Sequence, residues 1–387
     1  MVVSGAATVV RGRLVLDDRV ALGTVTVADG AIRSVELEDG GEIEGSSLPI
    51  VAPGFVDLHV HGWGGHSAMA DAAALDGMAR ALLRRGVTSF LPTGWTAPLP
   101  DLRRFADLVR GWLPRAPDDG AQPLGFNLEG PFLAAARRGA HNPAHLAIPA
   151  DVPRDELEPL IDGLRLTTVA PDIPGGLELI AWFCKRGVRV SLGHSAADLV
   201  TSVSGYRAGA STTTHLFNAM SGVDHHAPGL AVAALGNDEA WVELIADGQH
   251  VDRAVWPIIT RTKPCDRLLL VSDAISLAGT GDGRTTIGGL EIEVRGERCT
   301  LVDGGALAGS VIALDSAVRN LVASGVTLPA AVAAATRNPL ALLGVADRGR
   351  IAAGQRADLV ELDDGLNVAR VMRAGSWLHN AQPAQPA

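Results

Sequence analysis

The chain has 387 residues, with 33 Lys and Arg against 43 Asp and Glu, for a formal net charge of −10. No basic run interleaved with aromatics occurs, which excludes a nucleic-acid phosphate backbone as a natural partner, since such surfaces need clustered cations. Hydrophobic residues make up 47%, yet no uninterrupted apolar stretch is long enough to cross a bilayer, so the sequence predicts a soluble globular chain with no membrane partner. Cys184, Cys265 and Cys299 are far apart and form no C-x-x-C, which predicts a reducing, cytoplasmic home. All three read as buried packing residues. The first residues carry no charged segment followed by an apolar core and cleavage site, so no secretion signal is expected. The pairs Arg84-Arg85 and Arg137-Arg138 read as solvated faces.

From Ala6 to about Leu48, short valine-rich runs alternate with Asp-Gly and Gly-Gly turns, the pattern of β-hairpins. "GQRADLVELD" and "VARVMRAGSWL" near the other end read the same way, so the two ends are expected to build one small β domain. Between them come eight strand-like segments: "FVDLHVHG", "VTSFLPTG", "LGFNLEG", "LRLTTVAP", "VRVSLGH", "STTTHLF", "WVELIADG" and "RLLLVSDA". Helical periodicity separates many of them, as in "AALDGMARALLRRG", "PDLRRFADLVRGWL", "GGLELIAWFCKRG" and "DRAVWPIITRTK". The expected fold is α/β: a (β/α)8 TIM-type barrel over 52–349, with a small β-sandwich domain from 1–51 and 350–382. A doubly wound open sheet competes, but no G-x-G-x-x-G follows the first strand.

Polar residues fall at the strand ends. His59 and His61 end the first strand, on one face at i and i+2, with Glu129 at the third, His194 at the fifth, His215 at the sixth and Asp273 at the eighth. In a barrel these ends converge on one mouth. Neutral imidazoles with a carboxylate suit a divalent ion that keeps a position open for water, and such an ion lowers the pKa of its water to about 7. Asp273, alone at the last strand end, suits proton transfer. His141 and His250 lie in loops on the same side, either holding substrate or simply solvated.

The string "APGFVDLHVHG" resembles the amidohydrolase superfamily, as does "GRIAAGQRADLVELD" at the return to the β domain. More narrowly, "NLEGPFL", "RGAHNP", "SLGHS", "THLFNAM", "DGQHVD", "VSDA" and "LAGS" follow the order seen in the N-acetylglucosamine-6-phosphate deacetylase family, and the resemblance covers nearly the whole chain. It implies metal ligation by Glu129, His194 and His215, a catalytic carboxylate at Asp273, and His141 as oxyanion stabiliser. Some members lack the histidine pair and hold one metal; His59 and His61 imply a second position here. The implied cofactor is one or two divalent ions per subunit, zinc first, with iron, cobalt, manganese or cadmium as alternatives. Substrate contacts are implied at Ala140, His141, Asn218, Ala219, Asp247, Gly248, Gln249, His250, Leu307, Ala308 and Gly309.

Two departures stand out. His226 occupies the place of a family arginine that reaches the sugar phosphate of a neighbouring subunit, and a single imidazole donor is a poorer phosphate ligand than a bidentate guanidinium. Trp63 stands in the glycine turn where relatives carry a small residue, and is expected to narrow the mouth. The implied activity is hydrolysis of the N-acetyl group of an amino-sugar 6-phosphate to acetate and free amine, by a homodimer acting on a small-molecule substrate. Left open are deacetylation of a differently configured or unphosphorylated N-acetyl sugar or an N-acyl amino acid, hydrolysis of a cyclic amide, and a non-enzymatic scaffold.

Overall fold

The structure is a computed structural model that describes residues 7–38 and 45–380. Parts of the expected small β domain, residues 1–6, 39–44 and 381–382, lie outside the described residues. Within them, strands Thr8–Val15, Val20–Ala28 and Ala31–Leu37 pair antiparallel in succession. Ile50–Pro53 then lies parallel to the first and antiparallel to Leu359–Leu362, which continues through Val368–Arg373 to Ser376–Asn380. Both ends of the chain thus enter one seven-stranded sheet.

That sheet folds over on itself. The two-residue turns Asp29-Gly30 and Ala374-Gly375 have positive φ at both positions, the geometry that matches hairpin twist. They meet so closely that a Cβ on Gly375 would lie 3.1 Å from the Gly30 Cα. The enclosed core joins Val10, Leu14, Val25, Val27 and Ile32 from one half to Leu359 and Met372 from the other, the two-layer packing of a sandwich.

The barrel strands are β1 Phe55–Val60, β2 Val87–Gly94, β3 Phe126–Glu129, β4 Leu164–Val169, β5 Arg189–Leu192, β6 Thr212–Thr213, β7 Trp241–Leu244 and β8 Leu268–Leu270. Each lies beside the next, all parallel. Closure comes just past β8, where Val60 bridges Ala274 and the Asp273 N–H donates to the His59 carbonyl at 2.8 Å. At the strand starts, Leu340, Leu342 and Leu343 pack on Val56, Leu58, Leu91, Leu166 and Leu269 and close that end with apolar contact. The other end is left as the mouth.

Helices Ala72–Leu83, Leu99–Trp112, Gly176–Cys184, Leu199–Arg207, Leu230–Leu235, Trp256–Thr262 and Leu314–Ala323 cover the barrel. Leu99–Trp112 buries Leu102, Phe105, Ala106, Val109 and Trp112, one face at helical spacing. Asp71 and Asp198 cap their helices by accepting from the backbone N–H of Ala74 and Thr201. Trp256–Thr262 begins later than its periodicity suggests, because Pro257 favours the first turn, where its missing N–H costs nothing.

Two elements depart from a strict β/α repeat. Between β3 and β4 the described chain forms only short 3-10 turns, since Pro131, Pro143, Pro149, Pro153 and Pro159 interrupt any run of backbone donors. After β8, a three-stranded antiparallel sheet of Gly283–Ile287, Leu290–Arg295 and Arg298–Leu301 precedes the last barrel helix. Among the cysteines, Cys299 is buried and Cys184 half-buried. Cys265 is exposed, contrary to expectation, because it sits in the turn that follows Pro264. No helix among the described residues is long and apolar enough to cross a membrane.

Candidate active site

The strand ends bring six distant residues to one centre. Glu129 stands in the middle, and its two carboxylate oxygens face different partners. Oε1 lies 2.9 Å from His194 Nε2 and 2.8 Å from His215 Nε2, and those two nitrogens are 3.1 Å apart. Oε2 lies 3.1 Å from His61 Nε2 and 3.4 Å from His59 Nε2, and Asp273 Oδ1 completes this second group at 3.3 Å and 3.5 Å from the same two nitrogens. All six side chains are buried. His194, His215 and Asp273 also adopt positive φ, a backbone state that costs on the order of 1–3 kcal/mol per residue and tends to persist where function requires it.

For three of the four imidazoles the outer ring nitrogen shows why the ring points inward, while His215 Nδ1 is buried without a hydrogen-bond partner. His61 Nδ1–H donates to the Thr93 carbonyl at 3.1 Å, His194 Nδ1–H to the Arg137 carbonyl at 2.9 Å, and His59 Nδ1–H to Glu243 Oε2 at 3.1 Å. Carbonyls and carboxylates only accept, so Nδ1 carries the proton and each Nε2 turns a lone pair to the centre. His59 Nε2 is buried without a hydrogen-bond partner. Two lone-pair nitrogens converging on one carboxylate oxygen would repel unless a cation sat among them. The donor set is that of a divalent transition metal, for which tetrahedral ligand atoms about 2 Å from the ion stand about 3.3 Å from one another. The group His59, His61, Glu129 and Asp273 is therefore a candidate metal-binding cluster, with Glu129, His141 and His194 as an overlapping one.

In the metal-free chain, protons take the cation's place. Burial lowers the imidazoles, but the carboxylates override it: Asp273 and Glu129 hold His61 up at about 9 and His59 well above the usual histidine range. Burial likewise raises the carboxylates, and the imidazoles override it, holding Glu129 well below its ordinary value and Asp273 below its own. The centre is built for positive charge.

Above this cluster lies a cavity of about 360 Å3. Its walls include the expected His61, Glu129, Ala140, His141, His194, His215, Asn218, Ala219, His250, Asp273, Leu307, Ala308 and Gly309. His141 Nε2 is 3.3 Å from Glu129 Oε2, with its ring edge-on to His194. Gly309 has φ +72, and a Cβ there would lie 2.9 Å from the Asp273 carbonyl, so the chain passes close behind that carboxylate.

Other expected residues stand outside the lining. Asp247 works through His250: Oδ1 accepts the backbone N–H groups of Gln249 and His250, and Oδ2 accepts His250 Nδ1–H at 2.7 Å. Burial pushes His250 down, but Asp247 wins and raises it. Gly248 and Gln249 form the turn, with Gln249 exposed. His226 lies on an exposed loop, its ring centroid 3.9 Å from that of His225, away from the cavity. Trp63 does not narrow the mouth, because it is buried in the barrel core.

Lining residues outside the expected set include Trp95, Thr96, Arg137, Asn142, Ile287, Gly288 and Ile292. The last three belong to the inserted sheet, which Asn142 Nδ2 fastens by donating to the Gly288 carbonyl at 2.8 Å. Alternation in "TTIGGLEIEV" signals that hairpin. Glu243 was also missed; its signal is a lone charge within an apolar strand.

An N-acetylgalactosamine-6-phosphate deacetylase of Escherichia coli O157:H7 is 38% identical over 90% of this chain and 93% of its own. An N-acetylglucosamine-6-phosphate deacetylase of Homo sapiens is 37% identical over 87% of this chain and 85% of its own. Among solved structures, an N-acetylglucosamine-6-phosphate deacetylase of Thermotoga maritima superposes with a TM-score of 0.89 at 32% identity, covering 97% of this chain and 100% of that one. A Mycobacterium smegmatis N-acetyl-D-glucosamine-6-phosphate deacetylase variant, in complex with N-acetyl-D-glucosamine-6-phosphate, gives 0.88 at 33%, with the same coverage. The profile of the Amidohydrolase family matches residues 50–378. Because that match runs from the small sheet through the whole barrel and back into the small sheet, the chain belongs to the amidohydrolase family.

Proposed function

We propose that this chain is a metal-dependent deacetylase that hydrolyses the N-acetyl group of N-acetylglucosamine 6-phosphate, giving acetate and glucosamine 6-phosphate in amino-sugar catabolism. The observation that carries the reading is Glu129 with each of its oxygens facing a separate imidazole group at the floor of the cavity. Relatives of the chain act, by name, on N-acetylhexosamine 6-phosphates.

The residues fit a divalent metal, zinc first, at two positions. Glu129, His194 and His215 would hold one ion, and His59 and His61 would hold the other. When bound, a divalent ion polarises a carbonyl and lets water ionise near neutral pH. Asp273 accepts the proton of the attacking water and returns it to the departing amine nitrogen, which leaves poorly as an anion. His141 donates a hydrogen bond to the acetyl oxygen as negative charge develops there. His250, fixed by Asp247, holds the sugar, as do Asn218, Ala219 and the Leu307–Gly309 segment. His226 meets the phosphate of substrate in the partner subunit of a homodimer. The unpaired cysteines fit a reducing, cytoplasmic compartment.

A kinetic comparison tests this reading. N-acetylglucosamine 6-phosphate, its galactosamine epimer and both unphosphorylated sugars are assayed for acetate release. A higher kcat/KM for the phosphorylated glucosamine sugar supports the proposal, preference for the epimer moves it to the galacto series, and indifference to phosphate removes the phosphate from it.

A further inference from the structure

Strand β7 carries one carboxyl side chain between two apolar sequence neighbours. Glu243 is fully buried, between Val242 and Leu244. Its Oε2 accepts two hydrogen bonds: from His59 Nδ1–H at 3.1 Å and from the backbone N–H of His215 at 3.2 Å. Its Oε1 has no hydrogen-bond partner. A buried carboxylate with one oxygen unpaired is costly to a fold and points to a role in what it touches.

What it touches differs from the support of the other rings. His61 and His194 are oriented by main-chain carbonyls, which no substitution removes. His59 depends on a side chain, which a substitution can remove. The same oxygen that turns His59 toward the second group also meets the backbone of His215, a member of the first.

We propose that Glu243 is the positioning residue of the histidine-pair metal position: it holds His59 with Nδ1 protonated and Nε2 turned to the centre. The inference rests on the metal reading given above. Carboxylate partners of ligating histidines contribute about ten- to hundredfold in metal affinity, and the effect here falls chiefly on the position that His59 serves, since the His215 ring itself does not touch Glu243.

The test uses the full chain, stripped of metal and titrated with zinc alone, with bound zinc counted and each affinity measured for wild type, Glu243→Gln, Glu243→Ala, His59→Ala and the double variant Glu243→Ala/His59→Ala. Wild type takes two equivalents. Glu243→Ala keeps one at near wild-type affinity and weakens the other about a hundredfold, and Glu243→Gln weakens the same one by nearer tenfold, since its amide oxygen still accepts from Nδ1–H. The double variant is no worse than His59→Ala, a non-additivity that a general packing defect would not produce. Glu243→Gln keeps the question answerable if the alanine variant fails to fold. Two equivalents at wild-type affinity in the glutamine variant and any folded alanine variant, or equal weakening of both equivalents, overturns the assignment while leaving the metal reading in place. Fewer than two equivalents in wild type overturns the two-position reading and this inference with it.

Discussion

The floor of the cavity and its rim are built by different means. On the floor, strand ends supply Glu129, His59, His61, His194, His215 and Asp273, and three outer ring nitrogens are tied to fixed acceptors. On the rim, the chain between β3 and β4 supplies His141 and Asn142, the turn after β7 supplies His250, and the inserted sheet supplies Ile287 and Ile292. The floor fixes donor atoms within a few tenths of an ångström of a metal's needs. The rim is loop and hairpin, the part of a barrel enzyme that varies most freely. On the proposed function, metal binding and proton transfer belong to the floor and choice of substrate to the rim, His141 excepted, and substitutions in the two regions should fail differently.

The largest effect is expected at the floor's centre. Glu129→Gln replaces the anion shared by both imidazole groups with a neutral amide, so bound metal and turnover should both fall by more than about a hundredfold, beyond what an outer partner contributes. Metal content and turnover near wild type would dissolve the distinction between floor and rim.

Asp273→Asn separates proton transfer from metal binding. It should lower turnover between about a hundred- and ten-thousandfold while the ion at Glu129, His194 and His215 remains and an unreactive substrate analogue still binds. Equal loss of analogue binding would assign Asp273 to holding substrate, a rim property.

A third effect concerns the floor once it is stripped of metal. His61 in the metal-free chain sits at about 9, above the roughly 6.5 of an unfolded histidine. Its protonated form is thus favoured by folding: the contribution is fully present below about 6.5 and is lost as pH rises through about 9, at most about 3 kcal/mol. Denaturant melts of metal-free protein should show stability declining across that window, and zinc should abolish the decline. A flat profile without metal would mean that the carboxylates do not hold a proton there.

The smallest effect belongs to the exposed loop of His226, outside both regions. His226→Arg supplies a bidentate phosphate donor and should lower KM for a phosphorylated sugar by about tenfold or less, leaving unphosphorylated sugars unchanged. Equal change for both kinds of sugar would place His226 away from any phosphate.

The contrast also governs what the sequence makes legible. Apolar runs mark all eight strands, and the His, Glu or Asp that ends five of them marks the whole metal cluster, because strand period and strand ends dictate both burial and direction. Glu243 escapes that logic: a lone carboxyl within "WVELI" marks it as unusual, but only the fold brings it under His59. The Gly283–Leu301 insertion carries a readable hairpin pattern, but nothing local says that it will reach back over β2 and β3 to line the cavity beside Asn142. Trp63 misleads for a related reason, since a large residue in a glycine turn can point inward to the core as readily as outward to substrate.

Acetate release from N-acetylglucosamine 6-phosphate, followed as zinc is titrated back into metal-stripped protein, tests the central claim most directly. The account predicts no release from the stripped protein, and release that rises with zinc and saturates by two equivalents per chain. Turnover indifferent to stripping, or no acetate at any zinc loading, would contradict it.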